Sequence, residues 1–198
     1  SQKQLTSLRN KYIENPPEYV IPVHIFTNLN EYRESTKRPD WSGASTLFNI
    51  GEPPILLLPS EKGGGLLDKT APTTGPAHEI THVVEYEALG LKSMKLIPGS
   101  FHEGIAQYES LNQFVNLMDR IEKRFIVVIN NDVVLDQEGL PDAYALESEA
   151  DIRLYYCVSF EFMRYMVDTY GENKPWEVLK IVGAGESFEM AMTFVFNK

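Results

Sequence analysis

The chain has 198 residues, with 18 Lys and Arg against 28 Asp and Glu and a formal charge of −10. That length suits one domain around one core, and 43% apolar with 23% charged residues excludes a disordered, collagen-like or coiled-coil chain. An acidic balance with no basic cluster excludes nucleic acid as a partner. Apolar runs such as 55–58 and 125–129 fall far short of the roughly 18–20 residues that cross a bilayer, so no transmembrane segment is expected.

In chain order, Leu5, Leu8, Tyr12 and Ile13 recur at near-helical spacing and predict a peripheral helix over 2–13. Pro16 and Pro17 end it, so residues 1–18 read as an N-terminal helical extension. Residues 19–27 alternate and predict a half-buried strand with Val23 and Ile25 inward. A short helix over 29–36 follows. Residues 45–50 and 55–58 are two apolar runs parted by Gly51, Glu52, Pro53 and Pro54, which predicts two strands joined by a turn, the second buried. Residues 59–76 carry Gly63, Gly64 and Gly65 without periodicity and read as a loop, and they lack the Gly-Lys-Ser/Thr ending of a phosphate loop.

Three long helices are predicted over 76–89, 100–124 and 143–170, with shorter ones over 175–182 and 188–196. Residues 125–129 and 133–135 read as short strands or a packed loop. Strands first and helices afterwards predict an α+β fold in one domain spanning 1–198. Its first half carries a small mixed β-sheet with an edge strand, and its second half is mainly helical.

Inside the first long helix, His78, Glu79, Ile80, Thr81 and His82 spell H-E-x-x-H. Four residues advance about 400° around a helix, so both imidazoles share one face, about 40° and 6 Å apart. Two ring nitrogens can then meet one ion, while Glu79 is turned about 100° away and can reach a water rather than the metal. At this composition such a match arises by chance on the order of once in a hundred chains. As an ordinary amphipathic helix, the segment would pack Ile80, Val83, Val84 and Ala88 inward.

A third ligand is available in Glu103, within FHEGIAQY. The same residue also fits a capping box with Ser100 as N-cap. His102 is a competing donor whose side chain should point about 100° from that of Glu103. Gln107, four residues after Glu103, is placed to hydrogen-bond a metal-bound imidazole. Lone Cys157 reads as a small buried residue, and it excludes an intrachain disulfide and a zinc site built from several cysteines.

H-E-x-x-H followed some twenty residues later by E-G-x-A-x-Y resembles the gluzincin metallopeptidases, the thermolysin and neutral-aminopeptidase clan, and most closely the compact peptidase MA-like domains. The resemblance implies a zincin-like fold and one zinc ion per chain held by His78, His82 and Glu103, with Glu79 as the general base. Residues 156–171 resemble the gluzincin segment Y-x-x-S/G followed by an apolar helix, which implies Tyr156 as the oxyanion donor, with Tyr155 as the alternative register. Residues 43–49 resemble the edge strand along which gluzincins align an extended peptide.

The activity so implied is that of a zinc-dependent peptidase acting on peptide or protein substrates. No G-x-M-E-N motif for a free amine is visible, which favours an endopeptidase. The competing readings are a binding or scaffold protein that keeps the metallopeptidase fold, and a zinc hydrolase of small amides or cell-wall peptides. Analogy with peptidase MA-like proteins implies a secreted, periplasmic or cell-surface location in a bacterium. No pattern points to a particular oligomeric state.

Overall fold

The computed structural model describes residues 2–39, 42–49, 51–60, 74–111 and 149–197. Its elements are α1 (Gln2–Tyr12), β1 (Val23–Phe26), α2 (Leu29–Thr36), β2 (Ser45–Leu47), β3 (Ile55–Pro59), α3 (Thr74–Met94), α4 (Gly99–Leu111), α5 (Glu149–Tyr170), α6 (Lys174–Gly183) and α7 (Phe188–Phe196). Among the described residues the architecture is α+β, with one small sheet and a helical majority. The strands expected at 125–129 and 133–135, the helical stretches 112–124 and 143–148, and most of the glycine-rich loop lie outside the described residues. Among the described residues no helix is long and apolar enough to cross a membrane.

Local chemistry sets the boundaries. The Asn28 side chain accepts the Glu31 amide at 2.9 Å and starts α2, while Ser187 does the same for Met190 and starts α7. Pro175 sits in the first turn of α6, where its missing N–H costs nothing. Gly90, at φ 71° and ψ 156°, interrupts α3. Few other residues adopt that backbone at low cost, and the break turns the chain toward α4.

The sheet is mixed, in the order β1-β3-β2. β1 runs parallel to β3 with Val23 opposite Leu56, and β2 runs antiparallel with Thr46 opposite Leu56. Among the described residues β2 is therefore an edge strand. On one face Phe26 meets Tyr32 of α2 edge-on at 5.5 Å, while α3 packs against β2 and β3.

The orientation of β1 corrects the sequence expectation. Val23 and Ile25 are 50% and 64% exposed, and Phe26 is the residue that points inward. Alternation marks two faces of a strand without saying which one is covered. α3 covers the two strands nearest the site, and β1 lies at the far edge.

A second correction concerns α1, which is not peripheral. Leu5, Leu8 and Tyr12 are buried in the main core together with Ile80, Val83 and Val84 of α3, Phe101 and Ile105 of α4, Met163 and Met166 of α5, and Val178, Leu179 and Val182 of α6. Polar contacts fasten the same face. Gln4 Nε2 donates to the Ala77 carbonyl at 3.1 Å. The Arg9 guanidinium grips both oxygens of Glu87, with Nε to Oε2 at 2.8 Å, and the Tyr19 hydroxyl donates to the same carboxylate at 2.6 Å. Tyr12 stacks on Trp176 at 4.0 Å and donates to Glu109 Oε1 at 2.6 Å.

α4 and α5 approach closely at Gly104, where an added Cβ would lie 2.6 Å from the Ser159 carbonyl oxygen and 3.3 Å from Met163 Cβ. The obstructing atom belongs to the backbone and cannot rotate aside, so Gly104→Ala must push the helices apart. Overpacking of this kind costs about 1–3 kcal/mol. The expected result is a melting temperature lower by several degrees, read by circular dichroism. An unchanged melting temperature would contradict so tight a helix contact.

Candidate metal centre

α3 presents His78 and His82 on one face because they are separated by one helical turn, and the buried Val83 and Val84 anchor its opposite side in the core. The result is an Nε2 to Nε2 separation of 3.1 Å. α4 supplies the third group. The Pro98 carbonyl accepts the amides of Phe101 at 2.9 Å and His102 at 3.4 Å, so Ser100 already lies inside the first turn and is not the N-cap that a capping box requires. The Glu103 carboxylate turns instead to the histidines, with Oε2 2.9 Å from His78 Nε2 and 3.7 Å from His82 Nε2.

These three atoms form a group able to hold a metal ion. A tetrahedral ion with bonds of 2.0–2.1 Å keeps its ligand atoms about 3.3 Å apart, and the three separations of 2.9, 3.1 and 3.7 Å bracket that value. Glu103 Oε2 is buried and has no hydrogen-bond partner despite the nearby imidazoles. A buried carboxylate oxygen left unsatisfied between two ring nitrogens is the arrangement a bound cation completes.

The charges agree. Burial alone would raise the Glu103 carboxyl, but His82 and His78 outweigh it and hold that group well below the usual carboxylate range. Burial opposes charge on His82, yet Glu103 and Glu85 together lift its imidazole well above the usual range. Negative charge that favours a proton here favours any cation at the same point.

Glu79 lies one residue beyond His78 and is nearly buried. Its Oε2 accepts a hydrogen bond from Thr46 Oγ1 at 2.8 Å, so edge strand β2 fixes the carboxylate. From α5, the half-buried Tyr156 places its ring edge-on to His78, with centroids 6.2 Å apart. Tyr155 is buried against the start of α4, where its hydroxyl would lie 3.0 Å from a Cβ at Gly99. The Tyr156 ring thus meets a histidine of the group edge-on. Cys157 is buried.

Gln107 is buried but makes no hydrogen bond to either histidine among those in the described residues. The role expected of it falls to Glu85, whose Oε2 lies 2.8 Å from His82 Nδ1. Glu85 is fully buried and also meets His102 Nδ1 at 3.3 Å, while His102 Nε2 donates to the Met94 carbonyl at 3.0 Å. His102 is thus turned away from the ligand group, as its helical angle predicts. Sequence reasoning missed Glu85 and Thr46. Glu85 carried a signal, since it stands three residues after His82 on the same helical face; Thr46 carried none beyond its place on the edge strand.

Fold and site together define a mainly helical α+β protein with a His₂Glu group on two packed helices that can hold a metal ion. Compared with known proteins, the chain matches no family model, no curated protein and no solved structure.

Proposed function

We propose that the protein is a zinc-dependent peptidase of the gluzincin type, with a zincin-like fold, and that it acts as an endopeptidase. The observation that carries this reading is the convergence of His78 Nε2, His82 Nε2 and Glu103 Oε2, with the Glu79 carboxylate on the same turn of α3. Two imidazoles and one carboxylate are the ligand set of peptidase zinc sites that leave a fourth position open.

His78, His82 and Glu103 would hold the ion, and zinc so bound supplies a Lewis acid for the scissile carbonyl and lowers the pKa of a coordinated water. The Glu79 carboxylate accepts the proton of the attacking water as its oxygen bonds to the carbonyl carbon. It then returns that proton to the amide nitrogen as the C–N bond breaks. Thr46 holds one Glu79 oxygen, which aims the other. The Tyr156 hydroxyl donates to the oxyanion that develops on the carbonyl oxygen. Among the described residues β2 lies at the sheet edge, with Thr46 beside Glu79, where an extended peptide would add by backbone pairing.

Elemental analysis of the purified protein tests the metal, with one zinc per chain expected and most of it lost in His78→Ala, His82→Ala or Glu103→Ala. Full retention in Glu103→Ala would remove that residue from the ligand set. A panel of internally quenched peptides tests the reaction, with cleavage expected and abolished by a chelator. Zinc binding without cleavage of any peptide would favour a scaffold or a small-amide hydrolase instead.

Tyr156→Phe is expected to lower kcat by roughly 10²–10³ while KM and zinc content stay near wild type, because the hydroxyl acts mainly in the transition state. Tyr155→Phe, in the core, should alter stability by about 1 kcal/mol and leave kcat alone. The reverse pattern would place the donor one residue earlier.

A further inference from the structure

Glu85 is the most deeply buried acid in α3, with a side chain fully shielded from water. An ionised carboxylate in that position costs several kcal/mol unless other groups compensate it closely. Its Oε2 has two imidazole neighbours, His82 Nδ1 at 2.8 Å and His102 Nδ1 at 3.3 Å. His82 belongs to the ligand group, and His102 stands immediately before Glu103 on α4. The Met94 carbonyl, at the end of α3, holds the far nitrogen of His102. One buried carboxylate therefore connects both helices that carry the three ligands.

A histidine offers a metal the nitrogen that carries no proton, and the bond at the other nitrogen decides which one that is. A carboxylate cannot donate, so the contact at 2.8 Å is a hydrogen bond only when His82 Nδ1 carries the proton. In the neutral ring that binds a metal, Nε2, which faces His78 and Glu103, then keeps its lone pair. Resting on the metal-centre reading above, we infer that Glu85, braced by His102, is a positioning residue that fixes the tautomer and ring orientation of His82 for zinc. Gln107, nearer to Glu103 in sequence, does not do this work, and neither do the other acids of α3, since Glu79 is held by Thr46 and Glu87 is engaged by Arg9 and Tyr19 on the α1 side.

The test is zinc affinity of the metal-depleted full chain, measured by competition with a chromophoric chelator in wild type and Glu85→Gln. Outer groups of this kind contribute about 10–100-fold to metal affinity, so the dissociation constant of Glu85→Gln should rise by that factor. The visible ligand-field bands of the Co²⁺-loaded variant should shift as well, since the orientation of one ligand ring changes. The metal-free variant should melt within a few degrees of wild type, so a general loss of packing does not account for the effect. Equal zinc affinity and an unchanged cobalt spectrum in folded Glu85→Gln would overturn the inference and leave the metal centre standing. A wild-type protein that binds no zinc would overturn both. If Glu85→Gln does not fold, His102→Asn removes the brace while keeping Glu85, and unchanged zinc affinity in that variant overturns the inference equally.

Discussion

On the zinc-peptidase function proposed above, Glu79→Gln is expected to keep the fold and the metal and to lose peptide hydrolysis by about 10²–10⁴-fold or more, the range a positioned proton acceptor contributes. The geometry makes this a clean substitution. Thr46 Oγ1 donates to Glu79 Oε2, and the carbonyl oxygen of a glutamine can accept the same bond, so the side chain stays where it is. An amide can also hold a water molecule, but it cannot take its proton. The measurement is turnover of a quenched peptide beside elemental analysis of the same preparation. Undiminished turnover would remove Glu79 from the chemistry, and loss of zinc along with activity would make it a ligand instead.

Arg9→Ala is the substitution expected to damage stability most. Side chains of Arg9 and Glu87 are 8% and 2% exposed, and removing the guanidinium leaves a buried carboxylate whose remaining hydrogen-bond partner among the described residues is the Tyr19 hydroxyl. Breaking one side of a buried pair costs about 3–5 kcal/mol, whereas replacing both members by apolar groups is often neutral. Urea unfolding should therefore show a large loss in Arg9→Ala and a substantial recovery in Arg9→Met combined with Glu87→Leu. A loss under about 1 kcal/mol in the single variant would indicate that the pair is effectively solvated.

The parts of this molecule that depend on local spacing were readable from the chain alone. His78 and His82 share a face because of helical periodicity, and α6 and α7 begin where Pro175 and Ser187 say they should. The grouping of Glu103 with the two histidines was legible in the chain, and the start of α4 at Gly99 then set aside the capping alternative. What stayed hidden depends on partners distant in sequence. The burial of Arg9 needs Glu87, 78 residues away, and a short Leu5, Leu8, Tyr12 stripe does not reveal how deeply it docks. The alternation of β1 was misleading: Val23, His24 and Ile25 are all exposed and Phe26 alone is buried, against Tyr32 of the neighbouring α2, and alternation by itself does not say which face is covered. Glu85 was local and still overlooked: a charged residue on a helix is ordinarily a solvated one, and only its neighbours His82 and His102 explain its burial.

The docking of α1 moves the natural boundary of the folding unit. Gln4 reaches the carbonyl of Ala77, the residue immediately before His78, and Tyr12 covers the indole of Trp176 while Glu109 accepts from both. The first dozen residues thus form the rear wall of the turn that carries His78 and Glu79. A shortened chain starting at Tyr19 would keep every candidate ligand and base yet strip their support from behind. In mapping or engineering this domain, the N-terminal helix belongs with the candidate metal site.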